Sequence, residues 1–170
     1  RKGVEQALRE SEERFSKAFH GNPAGMAISR LEDGRVLDVN EAFVRVSGFS
    51  REELIGMSSL DIGIWVNPED RRHLAEILRR DGFLRHLEKE FRTNSGEVRR
   101  GLFNVEPVCI GRETCVLTLV QDITRRTEAE AALRRSQAVL QAHQHALMRL
   151  TKSQHIGSGD WQSALEELMQ

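Results

Sequence analysis

At 170 residues with a formal net charge of −1, the chain has room for one sizeable core with flanking helices. It has no global field that would draw it to nucleic acid or a membrane surface. Aromatic residues make up 5% and tyrosine is absent, which argues against a stacking platform for single-stranded nucleic acid. No run of about 18 apolar residues exists, so no membrane span is expected. No signal peptide is visible, and a chain starting at Arg1 reads as a fragment of a cytoplasmic protein.

The first segment predicts an amphipathic helix, with Val4, Leu8, Ser11 and Phe15 spaced four, three and four apart. Asn22-Pro23 breaks it, and a strand follows at Gly25–Ser29. Asp33-Gly34 predicts a hairpin turn into a second strand, Arg35–Val39. Asn40 is placed to cap a short helix, Glu41–Ser47, by accepting from a free N–H of its first turn, and Gly48 to end it. Ser50 and Glu53 form a Ser-x-x-Glu capping box that opens another helix. Asn67 and Pro68 start a longer helix that stops at Gly82. Three strands follow, at about 84–93, 98–109 and 114–123, joined by turns at Asn94-Ser95-Gly96 and Gly111-Arg112. These elements predict an α+β fold, a five-stranded antiparallel sheet with helices on one face.

From Thr124 the chain reads as helix to about Leu150. Ala129, Leu133, Ser136, Leu140, His143, Leu147 and Leu150 alternate at four and three, the seam of a two-stranded parallel coiled coil. The alternative is a long helix packed back on its own domain. Ile156–Asp160 is a Gly/Ser-rich break, and Trp161–Gln170 begins a further helix with Trp161, Leu165 and Leu168 on one face. A short match between Glu5–Ser11 and Glu130–Ser136 suggests similar linkers on both sides of one unit in a tandem array.

Few residues suggest chemistry. No glycine-rich phosphate loop, dinucleotide fingerprint or Gly-x-Ser-x-Gly elbow is present. The carboxylates sit in helical charge runs such as Glu10–Glu13, which read as solvated faces. Cys109 and Cys115 flank a turn, as two reduced thiols or as a reversible disulfide; with no neighbouring His pair, no metal site is expected.

The run Val36–Met57, with its Asn-Glu-Ala-Phe, Gly-Phe and Ser-Arg-Glu-Glu-Leu-Ile-Gly, resembles the PAS sensory family. Trp65–Arg71, Glu90-Phe91-Arg92 through Ser95-Gly96-Glu97, and Asp122-Ile123-Thr124 resemble further family motifs in the family's order, so the likeness covers roughly 15–126. It implies a PAS-like sensory domain over 15–124, after a linker helix over 1–14 and before a coiled-coil linker over 125–153. Residues 154–170 resemble the entry helix of a GAF-like module. The histidine-kinase phosphoacceptor helix is not matched: His143 and His145 are followed by Gln144 and Ala146, with no nearby proline.

Matching to the light-sensing branch of the family puts its flavin-bonding positions at Phe91, Gly101 and Val120, and its adduct cysteine at Ser59. None of these supports flavin photochemistry, and plain flavin binding is not expected. The haem-ligand position of other members falls at Ala75, with His73 and His86 as displaced candidates, so haem is a remote expectation. The same matching turns Phe91, Gly101, Phe103, Val105, Thr118 and Val120 inward. Met26, Ile28, Phe43, Val46, Leu54, Leu74 and Leu78 are expected to line the rest, around either a small apolar ligand or a filled core. Leu102, Leu117 and Leu119, on the opposite sheet face, are expected under the N-terminal helix or a second subunit.

The resulting expectation is a non-catalytic sensor module, homodimeric through Leu133, Leu140, His143, Leu147 and Leu150. Asp122, Ile123 and Thr124 would relay its signal to an output domain in the same chain, a sensor histidine kinase or cyclic-dinucleotide enzyme. The alternative is a ligand-free dimerisation relay with a solid core.

Overall fold

In the computed structural model, the backbone is described for residues 1–167 and the side chains for residues 1–150. The chain divides into two compact units, residues 1–125 and 126–170.

The first unit opens with helix α1 (Lys2–His20). Strands β1 (Gly25–Arg30) and β2 (Val36–Val39) follow, then three helices: α2 (Glu41–Ser47), α3 (Arg51–Leu54) and α4 (Glu69–Asp81). Strands β3 (Leu84–Arg92), β4 (Val98–Ile110) and β5 (Glu113–Asp122) complete an antiparallel sheet in the order β2-β1-β5-β4-β3. Elements agree with the sequence reading to within one residue at most boundaries. The exception in kind is α4, where Pro68 is the N-cap and Asn67 Oδ1 accepts the Glu69 N–H at 3.1 Å.

Local chemistry sets the helix ends. Asn40 Oδ1 accepts the Phe43 N–H at 2.8 Å, Gly48 closes α2 in the left-handed region at φ 75°, and Ser50 and Glu53 bond reciprocally around the start of α3. Asn40 does more than cap. It is fully buried, and its Oδ1 also accepts the Met26 N–H at 2.8 Å. Its Nδ2 donates to the carbonyls of Phe19 at 2.9 Å and Ala24 at 3.0 Å. One amide therefore joins the end of α1, the start of β1 and the start of α2.

The sheet has two differently covered faces. On one, Ala27, Val36, Val39, Phe91 and Val120 pack with Phe43 and Leu54 from α2 and α3, and Val105 and Val116 pack with Leu74 and Leu78 from α4. On the other, Phe19 sits on Met26, Ile28 and Cys115, with Leu117 and Leu119 against the same cluster. The end of α1 thus covers Leu117 and Leu119 of the expected patch at Phe19, while Leu102 lies outside that cluster. The stripe assigned to α1 is otherwise uncovered: Val4, Leu8 and Phe15 are exposed, and Phe15 stacks on Phe19 with ring centroids 5.6 Å apart.

Helix α5 runs from Thr124 to Glu167. It passes through Ile156–Asp160 without the predicted break, because two glycines each cost a helix only about 1 kcal/mol relative to Ala. Leu133, Leu140, Leu147 and Leu150 are exposed on it. The GAF-like continuation and the Trp161, Leu165, Leu168 face lie outside the residues whose side chains are described. Among the described residues no helix is long and apolar enough to cross a membrane.

Asn40→Ala removes the α2 cap and strands the Phe19 and Ala24 carbonyls and the Met26 N–H in a dry site. The expected loss is about 2–4 kcal/mol of unfolding free energy, read from urea denaturation. A loss below about 1 kcal/mol would show that water or backbone relaxation replaces the amide.

Candidate functional site

Helices α2, α3 and α4 do not pack flush on the sheet. A cavity of about 90 Å³ remains between them. Its apolar wall comes from Phe43 and Val46 of α2, Leu54 of α3, Leu74 of α4, and Phe91, Phe103 and Val120 of the sheet. Ile62, Ile64 and Trp65 close it from the segment between α3 and α4. Phe91 and Phe103 meet edge to face at 6.1 Å.

Eight of the thirteen residues expected to line a pocket do so: Phe43, Val46, Leu54, Leu74, Phe91, Phe103, Thr118 and Val120. Met26 and Ile28 do not. They point to the other sheet face, under Phe19, while Ala27 and Ser29 face the cavity in their place. The reason is room: α2 lies so close to β1 that a Cβ on Gly25 would come within 3.2 Å of the Phe43 Cα. Leu78 and Val105 belong to the solid core beside the cavity. Gly101 sits behind the wall, where a Cβ would meet the Phe103 ring at 2.7 Å and the Phe91 ring at 3.1 Å. Its role is to seat those rings.

Apart from Thr118, the polar lining was not anticipated from the sequence. Ser29 and Thr118 contribute hydroxyls. Ser59 Oγ accepts from Trp65 Nε1 at 3.0 Å. Arg71, in the first turn of α4, is 9% exposed and reaches the wall, its Nη2 donating to the Leu31 carbonyl at 2.7 Å. Burial, with Arg79 nearby, pulls its pKa below the ordinary arginine value, and Asp33 partly offsets this. The guanidinium stays charged at any physiological pH. Lys89 is neutralised by Asp70 at 2.9 Å. Glu90 joins the wall from β3 and is exposed. The signal for Arg71 was its spacing: Arg71, Leu74, Ala75 and Leu78 form one buried stripe of α4.

The residues present fit neither large cofactor of the family. At the flavin-matched positions, Phe91 and Val120 are apolar wall, Gly101 is packed against two rings, and Ser59 has no thiol. Ala75 is buried at the haem-matched position; His73 is exposed beside Glu76, and His86 is exposed at a β-bulge with φ 55°. Among the described residues no cluster of three His, Cys, Asp or Glu side chains could hold a metal ion. The disulfide alternative also fails on register. Cys109 is opposite Thr114 and Cys115 opposite Val108, so the two thiols point to opposite faces of the hairpin. Cys115 is fully buried, and burial raises its pKa, which leaves it a poor nucleophile.

The exit from the sheet is a bonded node. Asp122 Oδ1 accepts the Thr124 N–H at 2.9 Å, and Asp122 Oδ2 faces Arg99 at 3.4 Å. Ile123 is buried, and its N–H donates to the Arg100 carbonyl at 2.9 Å. The Thr124 hydroxyl accepts from the Arg100 N–H at 2.9 Å, tying the chain to β4.

Comparison with known proteins agrees with this fold. The chain is 32% identical over 138 residues to "Sporulation kinase E" of Bacillus subtilis (strain 168), and 24% identical over 140 residues to "Sensor histidine kinase TmoS" of Ectopseudomonas mendocina. These matches take in 80% and 79% of the chain but only 18% and 14% of the relatives, so the chain spans less than a fifth of their length. Among solved structures, a PAS domain of an HTR-like protein from Haloarcula marismortui superposes with a TM-score of 0.55 at 20% identity, over 72% of this chain and all of that one. The family model for the PAS domain matches residues 23–125, the stretch that holds the whole sheet and the cavity, and the chain belongs to that family.

Proposed function

We propose that this chain is a non-catalytic sensory relay whose cavity state is passed through Asp122-Ile123-Thr124 into α5. In this reading α5 pairs with a second copy and drives an output domain in the same polypeptide, a histidine kinase by likeness to the two curated relatives. The observation that carries the reading is the exit node. Phe103 and Val120, both in the cavity wall, are register partners. The next pair on that face is Gly101 and Asp122, and Thr124 bonds the residue just before Gly101, Arg100. Two residues of strand, roughly 7 Å, separate wall from exit. A wall displacement therefore reaches the first residue of α5 without crossing a slack loop. Exposed leucines at 133, 140, 147 and 150 supply a seam that a second helix can bury.

The small cavity also favours a second reading, in which the core is solid and the module only dimerises and relays a neighbour's signal. Native mass spectrometry of the purified chain separates the two: a retained small molecule supports sensing, and a bare dimer supports passive relay.

Asp122→Ala is expected to leave the thermal melt nearly unchanged while the full-length protein loses stimulus-dependent output. Unaltered regulation would remove the node from the path. Leu140→Asp is expected to convert a dimer to a monomer in light scattering, because a charge in a helical seam is buried without a partner. A dimer that persists would place the interface elsewhere.

A further inference from the structure

The cavity holds a feature that neither a solid core nor a purely apolar ligand explains. Arg71 has nine-tenths of its surface buried, and its one direct bond is to a backbone carbonyl, Leu31. Among the described residues no carboxylate lies within ion-pair distance of it. The nearby acids are committed elsewhere: Asp70 to Lys89 at 2.9 Å, and Asp33 to Arg30 at 3.2 Å and to the Arg35 N–H at 3.0 Å. A largely buried cation without a counter-ion is costly, and a bound anion would offset that cost.

The surroundings specify the anion. Arg71 and Ser59 both line the cavity, and Arg71 Nε and Ser59 Oγ each lie 3.0 Å from the point where a Gly34 Cβ would sit, so the two groups flank the same turn. Ser59 Oγ already accepts from Trp65 Nε1, which leaves its own proton to donate. With Nη2 on the Leu31 carbonyl, the guanidinium keeps further N–H donors, and together with a hydroxyl donor they suit a carboxylate. Most of the remaining wall, Phe43, Leu54, Ile62, Ile64, Phe91 and Val120, is apolar and suits a short hydrocarbon, while Ser29, Thr118, Lys89 and the exposed Glu90 are its other polar members. Size keeps the ligand small: the cavity, about 90 Å³ and partly open, is below the roughly 150 Å³ that accepts the six heavy atoms of benzene, so a four-carbon acid, also of six, is at its upper limit.

From this arrangement we infer that the cavity binds a small aliphatic monocarboxylate, its carboxylate on Arg71 and Ser59 and its chain among Phe43, Leu54, Phe91 and Val120. This rests on the sensory reading above and names the ligand class for that site.

The test is a titration of the complete 170-residue chain with butyrate and, separately, with 1-butanol, followed by NMR shifts of the Arg71 Nε–H and of cavity methyl groups. Butyrate is expected to bind about tenfold or more tightly than butanol, and to move the Arg71 signal. Arg71→Gln is expected to abolish that preference while the cavity methyls still respond to butanol. Ser59→Ala, which removes one donor and no charge, is expected to weaken butyrate by about tenfold or less, and guards against a folding defect in the arginine variant. Equal affinity for butyrate and butanol, or butyrate binding unchanged in Arg71→Gln, would overturn the carboxylate assignment and leave a sensory cavity standing. No shift with either probe would overturn the assignment and the sensory reading together, in favour of passive relay.

Discussion

The buried amide of Asn40 is the constraint on which the rest of the sensory unit depends. Its oxygen serves two backbone N–H groups, Met26 and Phe43, and its nitrogen serves the carbonyls of Phe19 and Ala24. No other side chain does both jobs in that volume. Aspartate accepts but cannot donate, and serine is too short to reach four backbone groups. A buried network of this kind is worth keeping only when every member is satisfied, and here the amide is. Three elements that are separate in the chain are thereby fixed in one frame: the last turn of α1, the first residues of β1 and the first turn of α2.

That frame determines where space is left. With α2 anchored at Asn40, its residues Phe43 and Val46 are held over β1 and β5. The helix lies too near β1 for large side chains between them, so Ala27 and Ser29 face it and Met26 and Ile28 turn away to meet Phe19. Further from the anchor, α4 packs tightly through Leu74 and Leu78 on Val105 and Val116. The cavity lies between these two well-packed zones, where the connecting segment from Ile62 to Trp65 closes it. It is a consequence of two helices anchored at different points on one twisted sheet.

Where the sequence was legible, and where it was not, follows the range of the interactions involved. Asn40, Gly48 and the Ser50–Glu53 box act over three or four residues, so a reader of the chain sees both partners at once. The parity of β1 is not local. Its alternation separates Met26 and Ile28 from Ala27 and Ser29, but only the distance to α2 decides which pair faces the helices. Met26 and Ile28 were expected to face inward, and crowding against α2 reversed that choice. Arg71 was hidden for a related reason. In Glu69-Asp70-Arg71-Arg72 it reads as part of a solvated charge run, yet it begins the Leu74-Ala75-Leu78 stripe and goes inward with it. The bond from the Arg100 N–H to the Thr124 hydroxyl was hidden too, because only the β4–β5 register brings Arg100 beside it.

The same register bears on how a signal would leave the unit. If Thr124 capped α5 alone, the helix start would follow its own chain and β5 only. Bonded to Arg100, it follows β4 as well, and Ile123 adds a second bond to the same residue. Movement of β4 and β5 together would carry the node as a body, while relative sliding of the two strands would strain both bonds at once. In the proposed relay the node would therefore discriminate between kinds of motion, and Phe103 on β4 opposite Val120 on β5 is placed where a ligand of changing size would drive the second kind. A cavity with one charged side sharpens this further. An anion held at Arg71 on α4 would push its apolar end toward the sheet wall, so the depth of the chain rather than mere occupancy would set the strain delivered to the exit.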